Sequence, residues 1–189
     1  MSATDREKWN AKHAAETPPR EPSAVLVGMS HWLPTSGRAL DLAGGGGRHA
    51  IWLAQRGLDV TLADISHVAL SIARQRAAEA GVALRTLETD VEEGEFPAGP
   101  WDLILTVCYF RRSLFDVFPT VLAPGGTLAI VQPTESNLLK HPKPPRDYLL
   151  DDGELPRLVK GLEVVYYEEG WLADGRHDAA FVGRASGRP

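Results

Sequence analysis

Short apolar runs alternate with amphipathic stretches along most of the chain. Five apolar runs predict β-strands, at residues 38–42, 58–63, 82–87, 101–107 and 127–131. Three of the intervening stretches have the apolar spacing of helices, at residues 46–56, 67–80 and 113–122. Strands that alternate with helices form βαβ units, whose strands are parallel and whose crossovers are right-handed. The pattern therefore predicts an α/β fold with a doubly wound, Rossmann-like sheet.

The C-terminal part of the chain has a different pattern. Two β-rich runs, at residues 162–167 and 179–184, flank the dipeptide Asp174-Gly175, which is typical of hairpin turns. Two strands joined by such a turn are antiparallel. The predicted sheet is therefore seven-stranded, with five parallel strands followed by a C-terminal antiparallel hairpin.

The N-terminal residues precede this alternation and are predicted to be helical. Residues 4–16 place Trp9 and His13 four positions apart, which puts them on one face of a helix. We predict two parts for the chain. Residues 1–37 form a helical lid segment, and residues 38–185 form the ligand-binding domain.

Composition and charge limit the classes of partner. The chain has 189 residues, a formal net charge of −5 and a pI near 5.7. This acidic balance argues against nucleic acid and membrane surfaces, because both attract basic proteins. Cys108 is the single cysteine, so no internal disulfide forms. No apolar run approaches the roughly 20 residues of a membrane span. We expect a cytoplasmic protein that acts on a small molecule, and the sequence leaves its oligomeric state open.

The candidate chemistry is concentrated where the first predicted strand ends. Asp41 lies near the end of the strand, and Gly44-Gly45-Gly46-Gly47 leads into the next predicted helix. Glycine is needed where the backbone takes a positive φ or where a ligand approaches without meeting a Cβ atom. The first N–H groups of the helix, at the positive end of its dipole, face the space over this turn. The stretch predicts a nucleotide-like ligand at the carboxyl edge of the parallel sheet.

Two kinds of nucleotide are consistent with this turn. Residues 45–50 satisfy the dinucleotide pattern G-x-G-x-x-G/A, and Asp64 lies near the distance expected for a ribose-binding acid. Asp41 would repel a pyrophosphate but tolerates a cationic group. Asp90 adds another acceptor at the same edge. A chain of 189 residues also leaves no room for a separate substrate domain. These observations disfavour NAD. An NAD-type oxidoreductase and a non-catalytic cofactor-binding protein stay open as alternatives.

The order and spacing of these residues resemble a known family. Asp41-Leu42-Ala43-Gly44-Gly45-Gly46-Gly47-Arg48 resembles the first motif of class I S-adenosylmethionine-dependent methyltransferases. Asp64, Asp90 and residues 122–126 fall where that family has its ribose acid, its adenine-side acid and the turn before the fifth strand. The resemblance covers residues 38–185. One departure is Ala43, where the family usually has glycine, and we expect alanine to disfavour a positive φ there.

A looser resemblance points to the tellurite-resistance-type branch of this family. It is carried by Trp9 and His13, Glu21-Pro22-Ser23, Gly47-Arg48-His49-Ala50, and Tyr148-Leu149-Leu150 followed by Glu154-Leu155. This likeness concerns architecture more than substrate.

The resemblance implies S-adenosyl-L-methionine as the cofactor and supplies its contacts. The residues expected to bind it are Asp41, Ala43, Gly44, Gly45, Gly47, Arg48, Asp64, Ile65, Asp90, Val91 and Val107. In the family pattern, Asp64 would accept both ribose hydroxyls, Ile65 would pack on the adenine, and Asp90 would accept its amino group. Asp41 would stabilise the ammonium group or order the turn.

Candidates for the acceptor side follow the fourth predicted strand. We expect Tyr109 and Arg111 to orient the acceptor as catalytic residues, and Cys108 to be a small buried residue. Arg111 and Arg112 begin a predicted helix, where a cation is unfavourable, and this indicates an anionic acceptor. Soft nucleophiles such as thiolates need no base, whereas hydroxyl or ammonium acceptors do. No spacing of His, Cys and carboxylate residues resembles a metal site.

Overall fold

The computed structural model describes residues 3–187, which form helices and strands in alternation. The helices are α1 (Ala3–Ala15), α2 (Ala24–Gly28), α3 (Arg48–Gln55), α4 (His67–Glu79), α5 (Phe118–Val121) and α6 (Leu155–Leu158). The strands are β1 (Arg38–Leu42), β2 (Asp59–Asp64), β3 (Arg85–Glu88), β4 (Trp101–Val107), β5 (Leu122–Pro133), β6 (Leu162–Trp171) and β7 (His177–Ala185). Short 3-10 helices occur at residues 30–32, 112–116, 135–139 and 146–148.

The seven strands form one sheet in the order β3-β2-β1-β4-β5-β7-β6. Strands β1 to β5 pair in parallel, and β7 pairs antiparallel with both β5 and β6. The predicted arrangement of five parallel strands and a C-terminal hairpin is therefore confirmed. The strand order reverses between β1 and β4, so the carboxyl ends of these strands flank the crevice where α/β sheets bind ligands.

Helices cover both faces of the sheet. One core layer lies under α2, α3 and α4 and includes Leu26, Leu53 and Leu103. The other lies under α5 and α6 and includes Phe115 and Phe181. Strand β4 contributes buried residues to both layers, as its nearly continuous apolar run predicts for a central strand.

Two predicted elements differ from the structure. Strand β3 starts at Arg85 rather than at residue 82, because the Val82 N–H closes the end of α4 by donating to the Ala77 carbonyl. The predicted helix over 113–122 is a 3-10 turn followed by the four-residue α5. Pro119 has no N–H with which to continue the preceding turn, and this explains the break.

The predicted lid segment is only partly separate from the core. Ser23 caps α2, with its Oγ accepting the Leu26 N–H at 3.3 Å. Leu26, Met29 and Leu33 are buried in the core layer under α3. Residues 24–33 therefore pack against the domain, and the assignment of residues 1–37 to a lid segment stays a prediction. Among the described residues, no helix is both long enough and apolar enough to cross a bilayer.

Candidate functional site

The glycine turn between β1 and α3 has a left-handed backbone at three positions. Ala43, Gly45 and Gly47 have φ values of 54°, 55° and 81°. Ala43 adopts this positive φ although its side chain disfavours it, at a cost of about 1–2 kcal/mol. The Ala43 N–H donates to the Ala63 carbonyl at 2.8 Å and holds the turn. A Cβ on Gly44 would lie 2.5 Å from Asp41 Oδ2, so glycine is required there.

Asp41 is buried beneath this turn. The Ala50 N–H of α3 donates a hydrogen bond to its carboxylate, whereas Oδ2 has no hydrogen-bond partner among the described residues. Burial raises the pKa of Asp41 to about 7, and the charge of Asp64 contributes in the same direction. A buried carboxylate oxygen without a partner costs free energy. Its position suits a hydrogen-bond donor or a cation supplied by a ligand.

Asp64 ends β2 and connects the turn to the neighbouring helix. Its Oδ2 accepts the Gly45 N–H and its Oδ1 accepts the Ser66 N–H, both at 2.8 Å. Each carboxylate oxygen has two lone pairs, so each retains capacity for one ligand hydroxyl. Burial raises the pKa of Asp64, and the two N–H bonds oppose this shift. Ser66, rather than Asp64, caps α4, because its Oγ accepts the Ala69 N–H at 3.1 Å.

Helix α1 lies across this carboxyl edge of the sheet. Ser66 Oγ and Asn10 Oδ1 are 2.8 Å apart and share a hydrogen bond. A Cβ on Gly45 would lie 3.5 Å from His13 Cε1, so the imidazole covers the turn. Burial lowers the pKa of His13, and the charge of Asp64 opposes this shift. The ring of Trp9 stacks on His13 with centroids 6.0 Å apart. These contacts place α1 where a lid would lie, and the lid function itself stays a prediction.

Arg76 of α4 ties the segment after α1 to the glycine turn. Its buried guanidinium donates through Nη2 to the Pro18 carbonyl at 2.6 Å. Through Nη1 it donates to the carbonyls of Pro19 at 3.1 Å and Gly46 at 3.3 Å. Hydrogen bonds from charged donors contribute about 1.5–3 kcal/mol each. Arg76 therefore holds the N-terminal segment against the turn.

We expect Arg76→Met to release residues 3–22 while the sheet stays folded. Loss of the charged hydrogen bonds predicts at least about tenfold faster amide hydrogen exchange in α1, because local opening becomes easier by about 1.4 kcal/mol or more. Hydrogen exchange followed by mass spectrometry measures this effect. Arg74→Met is the matched control, since Arg74 lies on the exposed face of α4 and its Nη1 donates to Thr86 Oγ1 at 2.9 Å. Equal exchange rates in the two variants would contradict the role assigned to Arg76.

The other predicted cofactor residues lie along the same edge. Ile65 is buried directly after β2, and Val91 is buried beyond β3. Val107 is half-buried at the end of β4. Asp90 is half-buried and its Oδ1 accepts the Glu92 N–H at 3.0 Å. The predicted positions thus reach one edge from four neighbouring strands, and their roles toward a cofactor stay predictions.

Two arginines lie near the residue that follows β4, and sequence reasoning missed one of them. Arg48 begins α3, is half-buried and forms no salt bridge with a described residue. Burial lowers its pKa, and the charge of Arg176 lowers it further. Arg176 Nη1 lies 3.9 Å from Cys108 Sγ, and its guanidinium pairs with Asp174 at 3.0 Å and Asp178 at 3.4 Å. The predicted hairpin could have identified Arg176. Strand β7 is antiparallel to β5, so it begins at the sheet edge where β5 ends, and Arg176 directly precedes it.

Cys108 differs from the expectation of a small buried residue. It is exposed, and its φ of 57° is left-handed. The Cys108 N–H donates to the Val131 carbonyl, and Thr106 Oγ1 donates to the Tyr109 carbonyl, both at 2.9 Å. Ala43 and Cys108 are the non-glycine residues with positive φ among the described residues, and each directly follows a strand that borders the crevice.

The predicted acceptor-side residues are bound to carboxylates of the protein. Tyr109 Oη donates to Glu92 Oε1 at 3.1 Å, and Arg111 Nε lies 2.6 Å from the same oxygen. Burial and Glu92 raise the pKa of Tyr109 well above its usual range, so it keeps its proton. Arg112 donates to both oxygens of Glu154 at 2.7 Å. The catalytic roles of Tyr109 and Arg111 stay predictions, and either side chain would have to exchange Glu92 for an acceptor.

Comparison with known proteins adds sequence relatives. A family model described as a methyltransferase domain matches residues 39–126. A demethylmenaquinone methyltransferase of Thermus thermophilus is 36% identical over 117 residues, which cover 58% of this chain and 49% of that protein. A tRNA 5-carboxymethoxyuridine methyltransferase of Escherichia coli is 33% identical over 118 residues, which cover 57% of this chain and 44% of that protein. The matches thus span about half the length of these curated relatives or less.

Solved structures extend the likeness to nearly the whole chain. TehB from Haemophilus influenzae superimposes with a TM-score of 0.71 at 20% sequence identity, over 96% of this chain and 67% of that one. At this identity the likeness supports the fold. It includes the hairpin and the N-terminal segment, which lie outside the residues that the family model matches.

Proposed function

We propose that this chain transfers a methyl group from S-adenosylmethionine to a small molecule. The premise is that residues 39–126 form a methyltransferase domain on the class I S-adenosylmethionine-dependent fold. The observation that carries the proposal is the convergence of the glycine turn, the unpartnered oxygen of Asp41 and the carboxylate of Asp64 at one edge of the sheet. The family resemblance predicted from the sequence is confirmed by the family model and by the fold.

The residues at this edge fit the polar groups of the cofactor. Asp41 Oδ2 offers a buried acceptor to the ammonium group, and the remaining lone pairs of Asp64 suit the two ribose hydroxyls. The first N–H groups of α3 suit the carboxylate. Ala43 and the glycines bring the backbone close without large side chains. The ammonium group, the ribose hydroxyls and the carboxylate of the ligand thus each have a partner at this edge.

The chain's own residues then align the acceptor and exclude water. The bound cofactor supplies a methyl group on a positively charged sulfur, which is already activated for displacement. Helix α1, with Trp9 and His13 over the turn and Arg76 behind it, would shield the site from solvent. Alignment of two reactants lowers a barrier by about 7–11 kcal/mol in favourable cases. A soft nucleophile therefore needs no base from the protein.

The acceptor that the site suits best is a small anion or a soft nucleophile. Arg48 has no carboxylate partner among the described residues, and Arg176 lies close enough to lower its pKa. An anion beside Arg48 would pair with its guanidinium, whereas Arg176 already pairs with Asp174 and Asp178. Nucleic acid is the competing class, because one relative modifies tRNA. We favour the small molecule, since a net charge of −5 is unsuited to a polyanion.

Calorimetric titration of the full chain with S-adenosylhomocysteine tests the cofactor. We expect micromolar binding, with no binding of NADH or NADPH in parallel titrations. Binding of a nicotinamide nucleotide alone would select the dinucleotide register of residues 45–50 and the oxidoreductase alternative. A panel of thiols, selenite, small carboxylates, quinols and tRNA, assayed for S-adenosylhomocysteine release, then tests the acceptor. Tight cofactor binding without turnover on any of these would favour the non-catalytic alternative.

A further inference from the structure

Three metal-ligating side chains meet outside the cofactor site, where the C-terminal hairpin contacts the loop after β5. Asp152, Glu169 and His177 each offer one ligand atom, and the three atoms lie within 4.8 Å of one another. We propose that these residues bind one first-row divalent cation of the Zn²⁺ type. The cofactor and acceptor contacts described above use none of the three.

The fold brings these residues together from three segments. His177 is the first residue of β7 and pairs with Trp171 of β6. Glu169 lies two residues before Trp171, so it is on the same face of the sheet and diagonal to His177. Asp152 approaches from the loop, which is anchored two residues earlier by a β-bridge at Leu150. Pairing of the backbone therefore determines that the three side chains face one another.

Hydrogen bonds leave the ligand atoms of His177 and Asp152 available. His177 Nδ1 lies 2.7 Å from Thr134 Oγ1, and no described residue hydrogen-bonds to Nε2. The Ser136 N–H and hydroxyl both donate to Asp152, the former at 3.3 Å. His177 thus has one ring nitrogen held and the other available, whereas both oxygens of Asp152 accept hydrogen bonds and offer the ion their remaining lone pairs. Hydrogen bonds from the protein orient metal-binding side chains in this way.

Glu169 is held in the same manner. Its two carboxylate oxygens accept the Gly153 N–H, each at 3.0 Å, and Tyr167 Oη donates to Oε2 at 2.6 Å. These donors fix the plane of the carboxylate but use only part of its lone-pair capacity. The Gly153 contact also joins β6 to the residue next to Asp152. All three ligands are thus positioned before an ion arrives.

The charge of the cluster is uncompensated within the described part of the chain. Asp152 and Glu169 form no salt bridge with a lysine or arginine there, whereas the neighbouring Arg176 is engaged by Asp174 and Asp178. Two carboxylates and a neutral imidazole carry a formal charge of −2, which a divalent cation neutralises.

The donor set and the exposure of the cluster decide the type of cation. One nitrogen and two oxygen ligands favour Zn²⁺, Mn²⁺, Fe²⁺ or Co²⁺ over Mg²⁺ and Ca²⁺, which prefer oxygen alone. Asp152 is exposed, so the site is open to solvent and has room for water as a further ligand.

Binding would join the loop to the hairpin that carries Arg176. Metal–ligand bonds of about 2.0–2.2 Å separate tetrahedral ligands by about 3.4 Å. Loading therefore draws the three side chains together from their present separations of up to 4.8 Å. The hairpin turn and the loop would then move as one unit at the acceptor side of the site.

Titration of the chelator-treated full chain with ZnCl₂, against a chromophoric competitor, tests the proposal. We expect one equivalent to bind with micromolar or tighter affinity. Glu169→Gln and Asp152→Asn are each expected to weaken binding at least tenfold, since a neutral amide is a poor ligand. Glu168→Gln is the matched control, because Glu168 is adjacent in β6 on the opposite face, where it accepts a hydrogen bond from Tyr166. It should bind the ion like the unmodified chain.

Three results would overturn the site: no saturable binding, millimolar affinity only, or unchanged affinity in Glu169→Gln. Circular dichroism of the metal-free variants checks that they fold. The visible spectrum of Co²⁺ added in place of Zn²⁺ supplies a second readout, since its band positions and intensities report nitrogen and oxygen ligation. S-adenosylhomocysteine binding is expected to stay unchanged in both variants, so failure of this proposal is distinguishable from failure of the proposed function.

Discussion

Asp64→Ala is expected to weaken S-adenosylhomocysteine binding by about thirtyfold or more, since charge-assisted hydrogen bonds contribute about 1.5–3 kcal/mol each and 1.4 kcal/mol is a factor of ten. The substitution removes the acceptor for both ribose hydroxyls. It also frees the Gly45 and Ser66 N–H groups that the carboxylate now binds. The glycine turn then loses its contact through Gly45 and keeps the hydrogen bond from the Ala43 N–H to the Ala63 carbonyl of β2. Calorimetric titration at neutral pH measures the change in Kd.

Two further variants separate ligand binding from folding. Asp64→Asn keeps one acceptor oxygen and should lose less affinity than alanine. Asp59→Asn lies at the other end of β2, where the carboxylate pairs with Arg85 in solvent, and should bind like the unmodified chain. Thermal melts show whether each variant is folded. A loss within about threefold for Asp64→Ala, less than 1 kcal/mol, would remove Asp64 from the binding site.

Asp41→Asn is expected to change how stability depends on pH. In the ligand-free protein the pKa of Asp41 is raised from 3.8 to about 7. Between these two pKa values, the Asp41 carboxyl therefore holds a proton in the folded state and has released it in the unfolded state. Stability from the neutral carboxyl is fully present below about pH 4 and is lost as pH rises to about 7. The shift corresponds to at most about 4 kcal/mol.

Asparagine is neutral at every pH, so the variant lacks this loss. Relative to the unmodified chain, Asp41→Asn should gain stability between pH 4 and 8, with the largest difference above pH 7. Urea unfolding across this range measures it. Any cost of the buried amide is the same at each pH and leaves the slope unaffected. Asp116→Asn, at an exposed site, should show no such trend. A stability difference independent of pH would contradict a buried, unpartnered Asp41.

The same variant connects the stability of the ligand-free protein to binding. A ligand ammonium near Asp41 Oδ2 would favour the charged carboxylate and lower its pKa. S-adenosylhomocysteine should therefore bind more weakly to Asp41→Asn. The stability gained without ligand and the affinity lost with it would have one cause, the buried carboxylate oxygen that has no partner in the described chain.

Much of the fold and of the cofactor edge could be predicted because the information is local. The apolar run of β4 predicts a strand buried on both faces, and Asp174-Gly175 predicts the hairpin. Carboxyl ends of parallel strands share one edge, so the residues that follow β1, β2 and β4 had to lie near one another. Ala43 shows the limit of this reasoning, since the surrounding bonds impose a φ that its side chain disfavours.

What the sequence by itself determined was the order of elements, the position of the glycine turn and the acids at the carboxyl edge, because periodicity and turn residues encode these within a few positions. Only the tertiary structure decided which charges are neutralised. Arg112 meets Glu154 across 42 positions, whereas Arg48 forms no salt bridge with a described residue. The metal-ligating cluster likewise joins three segments with no common spacing. Side-chain pairing across long separations follows from how the elements pack, and charged residues have no periodicity that reveals it in advance.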